Sequence, residues 1–298
     1  VAMHADEVRA TGELVRRLVA AQCPQWAGLP VTELPGEVEG TDHVLFRLGD
    51  ELVARMPKIG WAVGQAESDA RWLPLLAPLL PVRIPVPVFV GEPGDGYPWR
   101  WSVVPWLPGN TPPRLGSDDA VLARDLASFV HALHAVDPVG GPVAKAGGRG
   151  APLRDIDASV RRGMTLLSEE DGLDRPAVEA AWEKALAAPE WHGAPVWVHG
   201  DLQPGNLITE GGRLTAVVDF GTLGVGDPAV DVAAALWTFT GSARREFRQA
   251  AGYDDATWRR ACGWALASLN GIDYYRHTFP RMAEHGRRMV RAAITELG

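Results

Sequence analysis

The segment HGDLQPGNLITEGGRLTAVVDFG, running from His199 to Gly221, constrains what this chain can fold into more than any other stretch. Its middle, LITEGGRLTAVV, reads as a short strand, a turn at Gly211-Gly212 and a second strand. Such a hairpin returns the chain to its starting end, so Asn206 and Asp219 are expected together there. Asp201 precedes Asn206 in an Asp-x-x-x-x-Asn loop, and Asp219 opens an Asp-Phe-Gly turn. The loop offers a carboxylate that can orient a hydroxyl and an amide oxygen for Mg²⁺, and the turn adds a second metal-binding carboxylate. That donor set suits phosphoryl transfer from a metal-bound nucleotide.

Composition narrows the alternatives. A chain of 298 residues can bury a large core, and 46% apolar with 22% charged residues is close to a globular average, which excludes disorder and repeat arrays. The apolar runs are too short to span a bilayer and no secretion signal is visible, so no membrane association is expected. Cys23 and Cys262 lack metal-ligand spacing and read as buried thiols, which favours a reducing, cytoplasmic compartment. The net charge of −8, without a basic cluster, excludes a nucleic-acid partner and leaves a small-molecule substrate.

Along the chain, Asp6–Ala21 has the periodicity of an amphipathic helix. A strand is expected within 28–34, a hairpin from His43–Leu48 and Glu51–Met56, a helix over 62–80, and strands at Val88–Val90 and Trp99–Val104. Pro105–Gly109 interrupts both periodicities and reads as a hinge. Beyond it, helices are expected from Ser117 (as cap) to His134, then at Asp155–Leu167, Pro176–Ala187, Pro228–Phe239, Ser242–Ala250, Asp255–Tyr275 and Pro280–Glu296, with a strand at Val196–Val198. The domain expectation is a nucleotide-binding lobe over 1–104, a hinge over 105–109 and a catalytic and substrate-binding lobe over 110–298.

With its downstream Gly226-Asp227-Pro228-x-x-Asp231, the His199-Gly200-Asp201 segment resembles the aminoglycoside phosphotransferase family, the small-molecule branch of the protein-kinase-like fold. The resemblance covers nearly the whole chain, but its specific residues lie almost entirely within 199–231. It implies an α+β fold with a small antiparallel-sheet nucleotide lobe and a larger, mainly helical lobe. It also implies that Asp201 orients or deprotonates the acceptor hydroxyl, that Asn206 and Asp219 hold Mg²⁺, and that ATP or GTP donates the phosphoryl group. Aminoglycosides are the first choice of acceptor. The same scaffold also resembles kinases of macrolides, homoserine, choline and methylthioribose, and a nucleotide-binding pseudokinase is the non-enzymatic alternative.

The family pairs a basic residue on the third strand with an acid on the next helix. Here the strand offers Arg55 in place of Lys, with Lys58 as a second candidate. The expected partner is Asp69, with Glu67 as the alternative facing about 200° away on an ideal helix. Gly36–Thr41, with Gly40, stands where the family covers the phosphates. Backbone groups around Val104–Trp106 are expected to bind the base, with Trp106 or Val53 over its face. His199, Asp227 and Asp231 read as structural supports, Asp227 as a helix cap and Asp231 in a first helical turn. His131 and His134 read as packing residues, and Trp237 and Trp264 as core. Ser168–Asp174 and Asp273–Tyr275 could meet an aminated sugar or merely face solvent.

Overall fold

The computed structural model describes residues 8–34 and 42–298. Gly40 and the expected phosphate-covering loop therefore lie outside the described residues. The chain divides into two compact units. One holds the described residues through Pro78 together with Arg83–Pro108, and the other holds Leu79–Val82 and Gly109–Gly298.

In the first unit, helix α1 (Gly12–Gln22) precedes β1 (Val31–Glu33), β2 (His43–Leu48), β3 (Leu52–Pro57), helix α2 (Gln65–Leu76), β4 (Phe89–Gly91) and β5 (Trp101–Pro105). The strands form one antiparallel sheet in the order β1-β2-β3-β5-β4. Val15, Leu18 and Val19 on one stripe of α1 pack with Phe46, Leu48, Met56 and Trp101 of the sheet. The helix begins six residues later than its periodicity suggests. Thr11 caps it, its hydroxyl accepting the Leu14 N–H at 3.2 Å, and a cap of this kind sets an end that apolar spacing alone leaves open. Helix α2 stops at Leu76, short of the expected Leu80. A 3-10 turn at Ala77–Leu79 follows, where Pro78 and then Pro81 withdraw the N–H groups a longer helix needs.

The second unit is mainly helical. It runs α3 (Ala120–His134), α4 (Asp157–Thr165), α5 (Arg175–Leu186), β6 (Val196–Val198), β7 (Leu207–Glu210), β8 (Arg213–Val217), β9 (Gly224–Gly226), α6 (Ala229–Val232), α7 (Ala234–Thr238), α8 (Gly241–Ala251), α9 (Asp255–Leu266), α10 (Leu269–Tyr275) and α11 (Pro280–Leu297). Helix α3 packs on α8, and α9 touches α5, α6 and α11. Trp182, Trp237, Phe239, Phe247 and Trp264 are buried in this core.

Three expected helices differ in detail. Asp119, not Ser117, caps α3, its carboxylate accepting the N–H groups of Val121 and Leu122 at 2.8 and 3.1 Å. The stretch expected as one helix over Asp255–Tyr275 breaks after Leu266, where the Ser268 hydroxyl bonds the Ala265 carbonyl at 2.6 Å and competes with the helical ladder. Pro228–Phe239 likewise splits into α6 and α7.

Candidate active site

The loop between β6 and β7 and the turn after β8 carry the motif residues, and two antiparallel strand pairs, the inner one a hairpin, place them. Strand β6 pairs with β9, and β7 with β8. Gly211 and Gly212 turn the inner hairpin at φ of 57° and 79°, the left-handed values that a tight two-residue turn requires. Leu207 faces Val217, and the Val218 N–H donates to the Asn206 carbonyl at 2.9 Å. The ladder therefore brings Asn206 to the start of the Asp219 turn.

Each polar atom of the loop has a defined task. Asn206 donates its amide hydrogens to the Asp201 carbonyl at 2.8 Å and to Asp201 Oδ2 at 2.9 Å. Gln203 Nε2 donates to the same Oδ2 at 3.0 Å. These bonds leave Asn206 Oδ1 and Asp201 Oδ1 as the oxygens available to outside groups. Asp219 sits at φ 64°, a left-handed backbone that a residue with a β-carbon adopts only where its surroundings enforce it. Burial pushes the Asp201 carboxyl above the ordinary carboxylate range; the charge of Asp219 adds to this, while Arg149 opposes it.

Those facts test the site against a divalent cation. Two repelling carboxylates and an amide oxygen are hard donors, and Mg²⁺ takes one or two carboxylates and completes its shell with phosphates and water. The residues fit. Among the described residues no cluster of three or more His, Cys, Asp or Glu forms a metal site, so a cation here would rely on the amide oxygen and on the substrate.

Asp231 holds the loop from behind. It is fully buried, and its Oδ1 accepts the Gly200 N–H at 2.7 Å while Oδ2 accepts the His199 N–H at 2.9 Å and His134 Nε2 at 3.1 Å. Tyr253 closes this chain on His134 Nδ1. His131 bonds the Ala251 carbonyl, so the two histidines of α3 are each tied into the protein rather than poised as a metal pair. His199 is buried against Phe220; its Nε2 donates to the Val218 carbonyl at 3.1 Å and its Nδ1 accepts the Asp201 N–H at 3.2 Å. Gly200 has φ 82°, and a β-carbon there would stand 2.7 Å from Arg149 Cβ, so both backbone and space demand glycine. Asp227 accepts the Ala229 N–H at 2.9 Å and grips Arg260 Nε at 2.7 Å in a buried pair.

In the first unit, Arg55 Nη1 meets Asp69 Oδ2 at 2.7 Å, with side chains 9% and 1% exposed. Glu67 turns instead to Arg100, at 3.5 Å. Lys58 is buried just past β3. Val53 faces Val104 across the sheet and both are buried. The Trp106 N–H is spent on the Glu51 carbonyl at 2.7 Å, and Arg47 lies 4.1 Å over its ring. The Trp106 amide is therefore not a donor for a base, and one face of its indole is already covered.

Sequence reasoning missed Arg149, Arg114, Arg260, Tyr253 and Thr222, whose hydroxyl donates to the His199 carbonyl at 2.6 Å. Only Gly147-Gly148-Arg149-Gly150 carried a signal, a cation between glycines. In the acidic stretch Ser168–Asp174, Glu169, Glu170 and Asp174 face solvent, as the sequence allowed, but Asp171 does not. Asp171 is buried and paired with Arg276 at 2.8 Å and Arg287 at 3.2 Å.

An antiparallel sheet, a mainly helical unit, and an Asp-Asn-Asp motif carried by two antiparallel strand pairs define a protein-kinase-like fold. Residues 33–264 match the Phosphotransferase enzyme family (APH), and the chain belongs to it. It is 31% identical over 157 residues to the uncharacterized protein YcbJ of Bacillus subtilis (strain 168), a match covering 51% of this chain and about half (47%) of that protein. The GDP and kanamycin complex of the aminoglycoside phosphotransferase APH(2″)-IIIa superposes with a TM-score of 0.72 at 21% identity, covering 95% of this chain and 98% of that one. The macrolide 2′-phosphotransferase MphH from Brachybacterium faecium gives 0.61 at 25% identity, over 94% and 97% of the two chains.

Proposed function

We propose that this protein moves the terminal phosphoryl group of ATP or GTP, with Mg²⁺, to a hydroxyl of a small polar molecule. Aminoglycosides and macrolides are the acceptor classes that its structural neighbours bring to the test. The observation that carries the reading is the division of labour in the loop: Asn206 spends its amide hydrogens on Asp201, which orients the carboxylate and turns the amide oxygen outward.

In this reading Asp201 Oδ1 receives the acceptor hydroxyl. The acceptor oxygen attacks the terminal phosphorus in line as the bridging P–O bond to the nucleoside diphosphate breaks, and the hydroxyl proton passes to Asp201. A carboxyl with raised proton affinity is the better acceptor for that proton. Asn206 and Asp219 would hold Mg²⁺, which neutralises charge developing on the phosphoryl oxygens. Asp231 and His199 keep the loop backbone fixed, so positioning is in place before substrate arrives. Arg55, oriented by Asp69, is the candidate grip for nucleotide phosphates. A reducing cytoplasm suits the two buried, unbridged cysteines.

The test is transfer of label from γ-³²P nucleotide to a panel of aminoglycosides, macrolides and amino alcohols, with and without Mg²⁺. Metal-dependent appearance of an acceptor phosphate ester supports the assignment. Tight nucleotide binding with no transfer to any alcohol would leave a pseudokinase.

A further inference from the structure

Two guanidinium groups flank the catalytic loop without a carboxylate to hold them. Arg149 leaves the Gly147–Gly150 segment and its aliphatic stem lies against Gly200, next to Asp201. Its guanidinium carbon stands 5.3 Å from the ring centre of Trp237 and 5.7 Å from that of Trp264, both indoles buried. Aromatic faces thus fix the cation in place without neutralising it. Arg114 lies at the other end of the same loop. Its terminal nitrogens lie 3.3 Å from where a β-carbon on Gly205 would stand, one residue before Asn206.

The surroundings of Arg114 are cationic or neutral. Phe279 lies 5.9 Å from its guanidinium carbon, and burial together with the charge of Arg281 lowers its proton affinity. His285, bonded to the Arg114 backbone, is buried and its proton affinity is pushed down to about 3, so it stays neutral. Neither Arg149 nor Arg114 makes an ion pair or side-chain hydrogen bond among the described residues, whereas Arg55, Arg213, Arg260 and Arg276 each hold a carboxylate. The charge of Arg149 already acts on the Asp201 carboxyl, but neither guanidinium spends its N–H donors on an acid among the described residues, so both keep those donors for one.

We propose that Arg149 and Arg114 bind an anionic group of the acceptor, so that the phosphorylated hydroxyl belongs to an acidic small molecule, a hydroxy acid or a phosphorylated polyol. The inference rests on the phosphotransfer reading and narrows it. A polycationic acceptor would bring its ammonium groups against two like charges.

The experiment has two readouts on the full chain and on Arg149→Gln, Arg149→Lys and Arg114→Gln. The first is steady-state transfer from Mg·ATP and Mg·GTP to D-gluconate, sorbitol 6-phosphate, sorbitol and kanamycin. Gluconate or sorbitol 6-phosphate, whichever anion the site takes, should have the highest kcat/KM and kanamycin the lowest. Arg149→Gln should raise KM for the preferred anion about ten- to hundredfold and leave KM for sorbitol unchanged, with Arg149→Lys recovering part of the loss. The second readout needs no turnover. An anion bound at Arg149 should change the tryptophan fluorescence of the wild type, and Arg149→Gln should abolish that response. Arg114→Gln and Arg149→Lys keep the test open if Arg149→Gln fails to fold.

Preference for kanamycin overturns the proposal and leaves phosphotransfer standing. So does an Arg149→Gln rise in KM that is equal for sorbitol and gluconate, because the cation would then not be reading the anion. Anion binding without transfer to any acceptor supports the anion site and refutes the kinase reading. Neither binding nor transfer refutes both.

Discussion

In the proposed reaction Asp201 takes the proton, and its burial comes at some expense of stability. Burial and the neighbouring Asp219 raise its proton affinity, so the folded state binds more protons than the unfolded chain between the ordinary carboxylate value and the raised one. Through that window stability falls as pH rises, and above it the cost is fully present. Asp201→Asn should therefore be more stable than the wild type at neutral pH, by about 1 kcal/mol in denaturant unfolding. Turnover should drop by about 10² to 10⁴. The wild-type kcat/KM should rise with pH through an acidic limb lying above the usual carboxylate range. A limb at or below that range would show that another group limits the rate. Gly200→Ala should lose about 1–3 kcal/mol, because the left-handed backbone and the Arg149 contact both refuse a methyl group.

At the scale of elements, the catalytic loop is held mainly by one helix-borne carboxylate. Asp231→Ala strands the N–H groups of His199 and Gly200 and should cost about 3 kcal/mol, with kcat falling as the loop loosens. Unchanged kcat in a destabilised variant would confine Asp231 to folding. A second ionic cluster ties the 168–174 stretch to α10 and α11. Burial alone would raise the Asp171 carboxyl, but the bonds from Arg276 and Ser168 outweigh it and hold the group below its ordinary range. That stabilisation is present above the unfolded value near 3.8 and is lost as pH falls through the lower folded one. Asp171→Asn should remove it and flatten the acid limb of the unfolding curve; because it also leaves Arg276 and Arg287 without their buried partner, the total loss at neutral pH should be about 3–5 kcal/mol. An unaltered limb would assign the acid sensitivity elsewhere.

Much of this was legible in the residues because it was local. The Gly211-Gly212 turn and the strands around it follow from turn chemistry, and with them the approach of Asn206 to Asp219. Helix ends were less legible. Thr11, Asp119 and Ser268 set boundaries through single side-chain bonds that periodicity does not register. The tethers of the site were hidden for another reason. His134, Tyr253 and Arg149 reach the loop across long stretches of chain, and nothing in a linear pattern marks such meetings.

For the whole molecule, Arg55 and Asp69 belong to one unit, and Asp201, Asn206 and Asp219 to the other. Among the described residues no helix is long and apolar enough to cross a membrane. A nucleotide that binds only the folded chain raises stability by mass action, about 2.7 kcal/mol at a hundredfold excess over Kd. Thermal scans should show that gain with Mg·ATP or Mg·GTP and a smaller one when EDTA removes the metal. An equal gain in EDTA would speak against a metal held by Asn206 and Asp219.

The most direct measurement sets wild type beside Asp201→Asn and Asp219→Asn, following phosphoryl transfer and Mg·nucleotide affinity in the same preparations. The expected result is loss of transfer in both variants, by at least about 10². Asp201→Asn should keep the affinity gained from Mg²⁺ and Asp219→Asn should lose it. Near-normal transfer by Asp201→Asn, or Mg²⁺-dependent affinity undiminished in Asp219→Asn, would contradict the division of roles between these two carboxylates.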